Sequence, residues 1–219
     1  MSGQPGGTAD PGARSARWQR RFPGFDAAAQ SAHWDRVTTE VVTARCEHPP
    51  EIKFFTAAEA ACAGVLLDHL TGQSDKPVVP VLRMVDARLA ADETDGWRYA
   101  DMPEDAQAWR DSLAYLDADA QLRCGCGFAD AAEAEQMALL QAVLDLGSES
   151  WHDLPAAHVW SLWTRYAATA FYSHPSAWAE IGFPGPAYPR GYKNIGVGKL
   201  EPFEVPDAEP SDDPVREGT

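Results

Sequence analysis

Residues 185–200, GPAYPRGYKNIGVGKL, gather in one short run the groups that bind phosphate in many proteins: glycines, an arginine and two lysines. A Walker loop needs G-x-x-x-x-G-K-[ST], because successive backbone N–H groups wrap the phosphates while the lysine and a hydroxyl complete the site. Around Gly198-Lys199 the first glycine position falls on Lys193 and the hydroxyl position on Leu200. The dinucleotide fingerprint G-x-G-x-x-G fails too, since Gly196 and Gly198 are followed by Glu201 where the third glycine belongs. No β-branched run leads into the stretch as a feeding strand, and Pro202 closes it before a helix could begin. The stretch is not a nucleotide loop. It reads instead as an extended arm that lies on a protein surface.

The other candidates for chemistry are sparse. Histidines stand at 33, 48, 69, 152, 158 and 174, and none forms H-E-x-x-H or H-x3-H. His69 falls on a mostly apolar stripe and reads as a satisfied core residue; His152 and His174 flank the last long helix, where capping is the usual role. Cys46 and Cys62 stand alone, and Cys124-Gly125-Cys126 is a C-x-C without the second pair of a zinc knuckle. These read as reduced structural thiols, with a C-x-C metal or cluster ligand pair as the rival reading. There is no G-x-S-x-G elbow, and carboxylates are too numerous for chance pairs to inform. The residues therefore point to no catalytic, metal or cofactor site in this chain.

The elements that would carry such residues come next. A chain of 219 residues, 45% hydrophobic, suits one domain with extensions. The net charge of −15 argues against nucleic acid and against an anionic membrane surface. No apolar run reaches the length of a membrane span. Arg20-Arg21-Phe22 resembles a twin-arginine start, but Asp26, Gln30, His33, Trp34, Asp35 and Arg36 follow where an export signal needs an apolar segment. The expected location is the cytoplasm.

Residues 1–16 and 207–219 have the composition of disordered ends. Residues 17–50 form an N-terminal arm with room for one helix or two short ones over about 27–44, and 51–175 a helical domain. Thr56 with Glu59 makes a capping box, opening a helix with Cys62, Leu66, His69 and Leu70 on its face and Gly72 at its end. Val81, Val85 and Leu89, with Met84 alongside, mark a second. Asp101-Met102-Pro103-Glu104 reads as the start of a third, with aspartate as cap, burying Trp109, Leu113, Leu116 and Ala120. Asp130 with Glu133 starts a fourth carrying Met137, Leu140 and Leu144, and Asp153 with Pro155 starts a fifth that runs to Pro175. No segment alternates with period two. The expected fold is all-α, a compact bundle of about five helices with an extended C-terminal arm.

The fifth helix carries two apolar stripes, Val159, Leu162, Trp163, Tyr166 and Ala170 on one and Trp160, Thr164, Ala167 and Phe171 on the other. A surface helix needs one, so this helix is central to its own domain, presses a second face on a partner, or both. Residues 176–206 hold too many prolines for a helix and too many large apolar groups for a solvated linker. They form a docking arm over its own domain or over a partner.

In chain order, FFTAAEAACAGVLLDHL, DGWRYADMPEDAQAWRDSLAYLDADA, GFADAAEAEQMALLQAV, WSLWTRYAATAFYSHPSAWAEIGFPGPAYPRGY and LEPFEV resemble the gluconate 2-dehydrogenase subunit 3 family over about 18–206, most closely over 151–192. The resemblance implies a small subunit paired with a large FAD-dependent oxidoreductase of the glucose–methanol–choline type, which oxidises an alcohol of a sugar, sugar acid or polyol. The FAD would sit in the partner, and this chain would support its folding, stability or cofactor loading. A stand-alone interaction protein, or a metal-dependent enzyme using His69, His152, His158 or the C-x-C, are the alternatives. The expected partner contacts are Trp163, Tyr166, Phe171, Trp178, Phe183, Tyr188, Arg190, Tyr192, Lys193 and Phe203.

Overall fold

The computed structural model describes residues 22, 25–73 and 77–205. The composition-based ends (1–16 and 207–219), Trp18 and the Arg20-Arg21 pair lie outside the described residues. Among the described residues the protein is all-α: α1 Arg36–Glu47, α2 Ala57–Thr71, α3 Val81–Ala90, α4 Asp105–Cys124, α5 Glu133–Asp145, α6 Ala156–Ser173 and α7 Pro175–Ile181. A 3-10 turn, Ala28–His33, precedes α1. Two-residue strands, β1 Ser150–Trp151 and β2 Leu154–Pro155, pair antiparallel just before α6.

The described residues divide into two compact units, 36–177 and a second made of residues up to 35 and from 178 to 205. This differs from a division by composition, which placed α1 with an N-terminal arm. The Arg45 guanidinium donates to the Ser173 carbonyl (2.8 Å), and the His174 ring meets the Arg45 carbonyl (3.1 Å), tying α1 to the end of α6.

Within the larger unit, local signals set several helix ends. Thr56 and Glu59 close the capping box reciprocally, the Glu59 N–H donating to Thr56 Oγ1 and the Thr56 N–H to Glu59 Oε2. α4 starts later than its proline suggests, with Glu104 at the N-cap. Asp101, the expected cap, instead holds His158 Nδ1 at 2.9 Å. α5 starts at Glu133 rather than after Asp130, which sits in a 3-10 turn, Phe128–Asp130. Its buried face is Gln136, Leu139, Leu140 and Val143, while Met137 and Leu144 are exposed. Gln136 accounts for the rotation: its amide donates to the carbonyls of Phe128 (3.0 Å) and Ala131 (2.9 Å), and its Oε1 meets His69 Nε2 at 2.8 Å. Those bonds require residue 136 to face inward.

α6 is the centre of this unit. The first stripe, Val159, Leu162, Trp163, Tyr166 and Ala170, is buried, and so are Ala167 and Phe171 of the second, while Trp160 and Thr164 are half-buried. Trp109 of α4 packs edge-on to Tyr166 and to Phe55. The Trp163 indole N–H donates to Ser112 Oγ at 3.0 Å, so the largest buried ring brings its one polar atom to a partner.

Asp86 is the unexpected core residue. It is 0% exposed and lies beside the Val81–Val85–Leu89 stripe of α3. Its carboxylate accepts the backbone N–H groups of Lys53 (2.6 Å), Phe54 (3.0 Å) and Phe55 (2.8 Å), which fixes the chain entering α2. Buried N–H groups left without an acceptor cost about 1–3 kcal/mol each. Of the three amides only that of Phe55 belongs to a buried residue, so Asp86→Ala is expected to lower the unfolding free energy by about 1–3 kcal/mol. A denaturation midpoint no lower than that of an exposed control such as Glu149→Ala would contradict this role.

Asp68 gives a pH-dependent counterpart. Burial pushes its carboxyl from 3.8 up to about 6, against a smaller opposing pull from His69. A raised carboxyl pKa means the folded chain holds this proton more tightly than the unfolded chain, so ionised Asp68 opposes folding above about pH 6 and not below about pH 4. Asp68→Asn is expected to raise the melting temperature at pH 8 and to lose that gain by pH 4. An equal effect at both pH values would exclude this origin.

Candidate interaction surface

In the helical unit, three residues expected at an interface lie inside instead. Trp163 is 0% exposed and held between the indoles of Trp151 and Trp160. Tyr166 is buried, and its hydroxyl donates to Asp105 Oδ2 at 2.7 Å. Burial and then the Asp105 carboxylate push the Tyr166 phenol well above its usual range, so it stays protonated and donating. Phe171 is buried against its neighbour Tyr172. The second stripe of α6 is therefore occupied by its own unit, and these three rings present no surface in this conformation.

Above Tyr166 lies a charged cluster that local sequence signals did not reveal. Arg88 pairs with Asp95 and stands over the Tyr166 ring; Arg165 reaches Asp95 at 2.8 Å and stands over the Trp97 ring. The Asp95 carboxylate thus bridges two guanidiniums from helices α3 and α6. Beside it Met84, Arg88, Tyr166, Thr169 and Ser173 line an open cleft of about 340 Å³.

His152 and His158, unpaired by helical spacing, each meet a carboxylate distant in sequence. His152 Nε2 lies 2.8 Å from Asp119 Oδ1, while Trp151 Nε1 donates to the other oxygen of Asp119. His158 stacks on Tyr99 and meets Asp101. Both histidines are anchored in loop-to-helix contacts. His174 occupies the C-cap of α6, the capping role expected there. No group of three or more His, Cys, Asp or Glu among the described residues could hold a metal ion.

The smaller unit carries the other seven expected contacts. Trp178 is buried, edge-on to Trp34 and to Phe183. The chain passes so close to these indoles that a Cβ at Gly185, whose φ is 77°, would lie 2.5 Å from the Trp34 ring; glycine is required there on both counts. Arg190 is a scaffold residue. Its guanidinium donates to Gln30 Oε1 (3.0 Å) and to the Pro184 carbonyl (3.3 Å), and it stacks 3.6 Å from the centre of the Phe203 ring. The Tyr192 ring packs tilted on the Phe203 ring at 5.8 Å between centroids.

What remains outward is apolar. Tyr188 is 65%, Ile195 86% and Val197 105% exposed, and Phe183, Tyr192 and Leu200 are exposed as well. Lys193 joins them on an uninterrupted exposed run, 191–200. Glu201 holds this run in shape. Its side chain is buried, and its carboxylate accepts the backbone N–H groups of both Lys193 and Asn194. The Asn194 side chain closes the base of the loop on the Leu200 carbonyl at 3.2 Å. Two backbone amides of this run, those of Lys193 and Asn194, are thus taken by a carboxylate. Glu201 had no local signature, because its bonds span seven and eight residues of irregular chain.

Among the described residues no helix is long and apolar enough to cross a membrane. Searches of curated proteins and of solved structures give no match. The model of the family described as gluconate 2-dehydrogenase subunit 3 matches residues 57–185, more than half of the chain, from the first turn of α2 to the glycine packed on Trp34 and Trp178. On that match, the chain belongs to the gluconate 2-dehydrogenase subunit 3 family.

Proposed function

We propose that this chain is a non-catalytic accessory subunit that docks on a large FAD-dependent oxidoreductase of the glucose–methanol–choline type, and supports its folding, stability or FAD loading. The partner would oxidise an alcohol group of a sugar, sugar acid or polyol. Family membership supports a dehydrogenase complex. The observation that carries the docking role is the exposed apolar loop at 191–200, with Tyr188 beside it, fixed by the buried Glu201.

A loop already held in one conformation loses less entropy on binding than a free one, and large exposed rings are the groups that interfaces use as anchors. Residues 185–200 also carry Arg190, Lys193 and Lys199 and no acidic residue, in a chain of net charge −15. The matching face of the partner is therefore apolar with acidic groups at its rim.

The test is co-expression with a large flavoprotein subunit of that type from the same source. With this chain present, the large subunit is expected to be soluble, yellow and active. A large subunit equally soluble, flavin-loaded and active without it would overturn the proposal. Within the complex, Ile195→Asp with Val197→Asp is expected to weaken association by at least tenfold while leaving the melting temperature of the isolated chain unchanged. Unaltered co-elution would remove the loop from the interface.

Arg190 and Tyr192 separate scaffold from contact. Tyr192→Ala is expected to weaken the complex with little change in the free chain. Arg190→Lys keeps the charge but loses the fork that joins Gln30 and Pro184, so it is expected to weaken association through faster amide exchange over 191–200. Slower association without any change in exchange would make Arg190 a direct contact instead.

A further inference from the structure

The dehydrogenase reading leaves Cys124-Gly125-Cys126 without a role. Cys124 is the last residue of α4, and Gly125 turns the chain there in the left-handed conformation. The turn brings the two sulfurs to 3.5 Å, in van der Waals contact and unbonded. Cys124 is exposed and Cys126 partly so, whereas Cys62 is buried in the core. Cys124 Sγ also lies 3.0 Å from the Ala120 carbonyl, one turn back on α4.

Two accessible thiols at that separation form a chelating dithiol. The contact needs only a side-chain rotation to reach a covalent S–S length of about 2.05 Å. The loop that follows is fixed by core contacts: the Phe128 N–H donates to Asp117 Oδ1 at 2.8 Å, and Phe128 itself is fully buried. The pair therefore sits on a rigid corner between α4 and α5 and not on a free tail.

We propose that Cys124 and Cys126 are a thiol–disulfide exchange site that takes small-molecule disulfides. The more exposed Cys124 thiolate attacks one sulfur of the small disulfide, forms a mixed disulfide and releases the first small thiolate. The Cys126 thiolate then attacks the Cys124 sulfur, forms the Cys124–Cys126 bond and releases the second. Two protein thiols are oxidised, one small disulfide is reduced to two thiols, and the two thiol protons pass to solvent or to the released thiolates. Contact with Cys124, and then desolvation, hold the Cys126 thiol above its ordinary pKa, so the second step accelerates as pH rises.

The experiment uses the full chain carrying Cys46→Ser, which removes the other exposed thiol, treated with oxidised glutathione and followed by intact mass and peptide mapping. The expected product loses the mass of two hydrogens, carries no glutathione and maps to one peptide joining 124 to 126. With Cys126→Ser added, the expected product is a stable glutathione adduct on Cys124. Phenylarsine oxide, which condenses with two neighbouring thiols and releases water, is expected to bind the parent one to one and to block the oxidation. An unreacted parent, or a parent that accumulates glutathione on both cysteines without closing, would overturn the proposal, as would arsenical binding that survives Cys126→Ser.

Discussion

A helix that is apolar around most of its girth has no stable place at a surface, and α6 imposes that constraint on the larger unit. Burying Trp163, Tyr166 and Phe171 together requires neighbours on several sides, and α2, α3, α4 and α5 all pack against it. Two of the polar atoms carried inward find partners across helices, while the buried Trp109 indole N–H has none among the described residues. Ser112 on α4 meets the Trp163 indole and Asp105 meets the Tyr166 hydroxyl. Unpaired buried donors would cost more than their rings gain from slightly better packing, so these two residues sit where apolar side chains would otherwise be expected. The register of α4 against α6 follows from them.

The smaller unit solves a different problem. Proline density argues against a helix anywhere in 176–206, yet 176–181 belong to α7; beyond it, over 182–205, the chain is irregular and its backbone N–H groups do not satisfy one another in a periodic ladder. Side chains do it instead: Glu201 serves Lys193 and Asn194, while Arg190 serves the Pro184 carbonyl. Both charged groups are turned inward to hold backbone, which leaves the apolar side chains of the loop facing out. That inversion, charge within and grease without, is the opposite of a solvated loop. It is a shape suited to a second protein.

Much of the fold was legible because helices write their periods and ends into sequence. The Thr56–Glu59 box, the Val81–Val85–Leu89 stripe, the buried face of α4 and the girth of α6 all rest on neighbours within one or two turns. The misreadings share one cause. Asp101 could cap α4, and Met137 could face the core, but His158 meets Asp101 and Gln136 meets His69 across tens of residues, and these contacts override both preferences. The same limit governed the surface. Residues with large rings were identifiable as anchors, yet whether a ring anchors its own core (Trp163) or faces outward (Tyr188) depends on which helices surround it. Arg190 had the look of a contact residue because its role as a backbone clamp depends on Gln30, 160 positions away. Asp86 and Glu201 escaped notice for the same reason, each serving amides far from it in sequence.

An exposed apolar loop also invites self-association, and the charge balance bears on this. The chain carries 33 acidic against 18 Lys and Arg residues, so two copies repel at separations within the roughly 8 Å screening length of physiological salt. The loop itself is locally basic, with Lys193 and Lys199 flanking Ile195 and Val197. Two loops meeting face to face therefore oppose like charges over their shortest distance, while the same loop approaching an acidic, apolar face gains on both terms. Keeping acidic residues out of 185–200 in so acidic a chain weakens the loop's attraction to its own kind less than it strengthens discrimination for a different partner. A loop of this charge is disfavoured against a copy of itself and favoured against an acidic, apolar face.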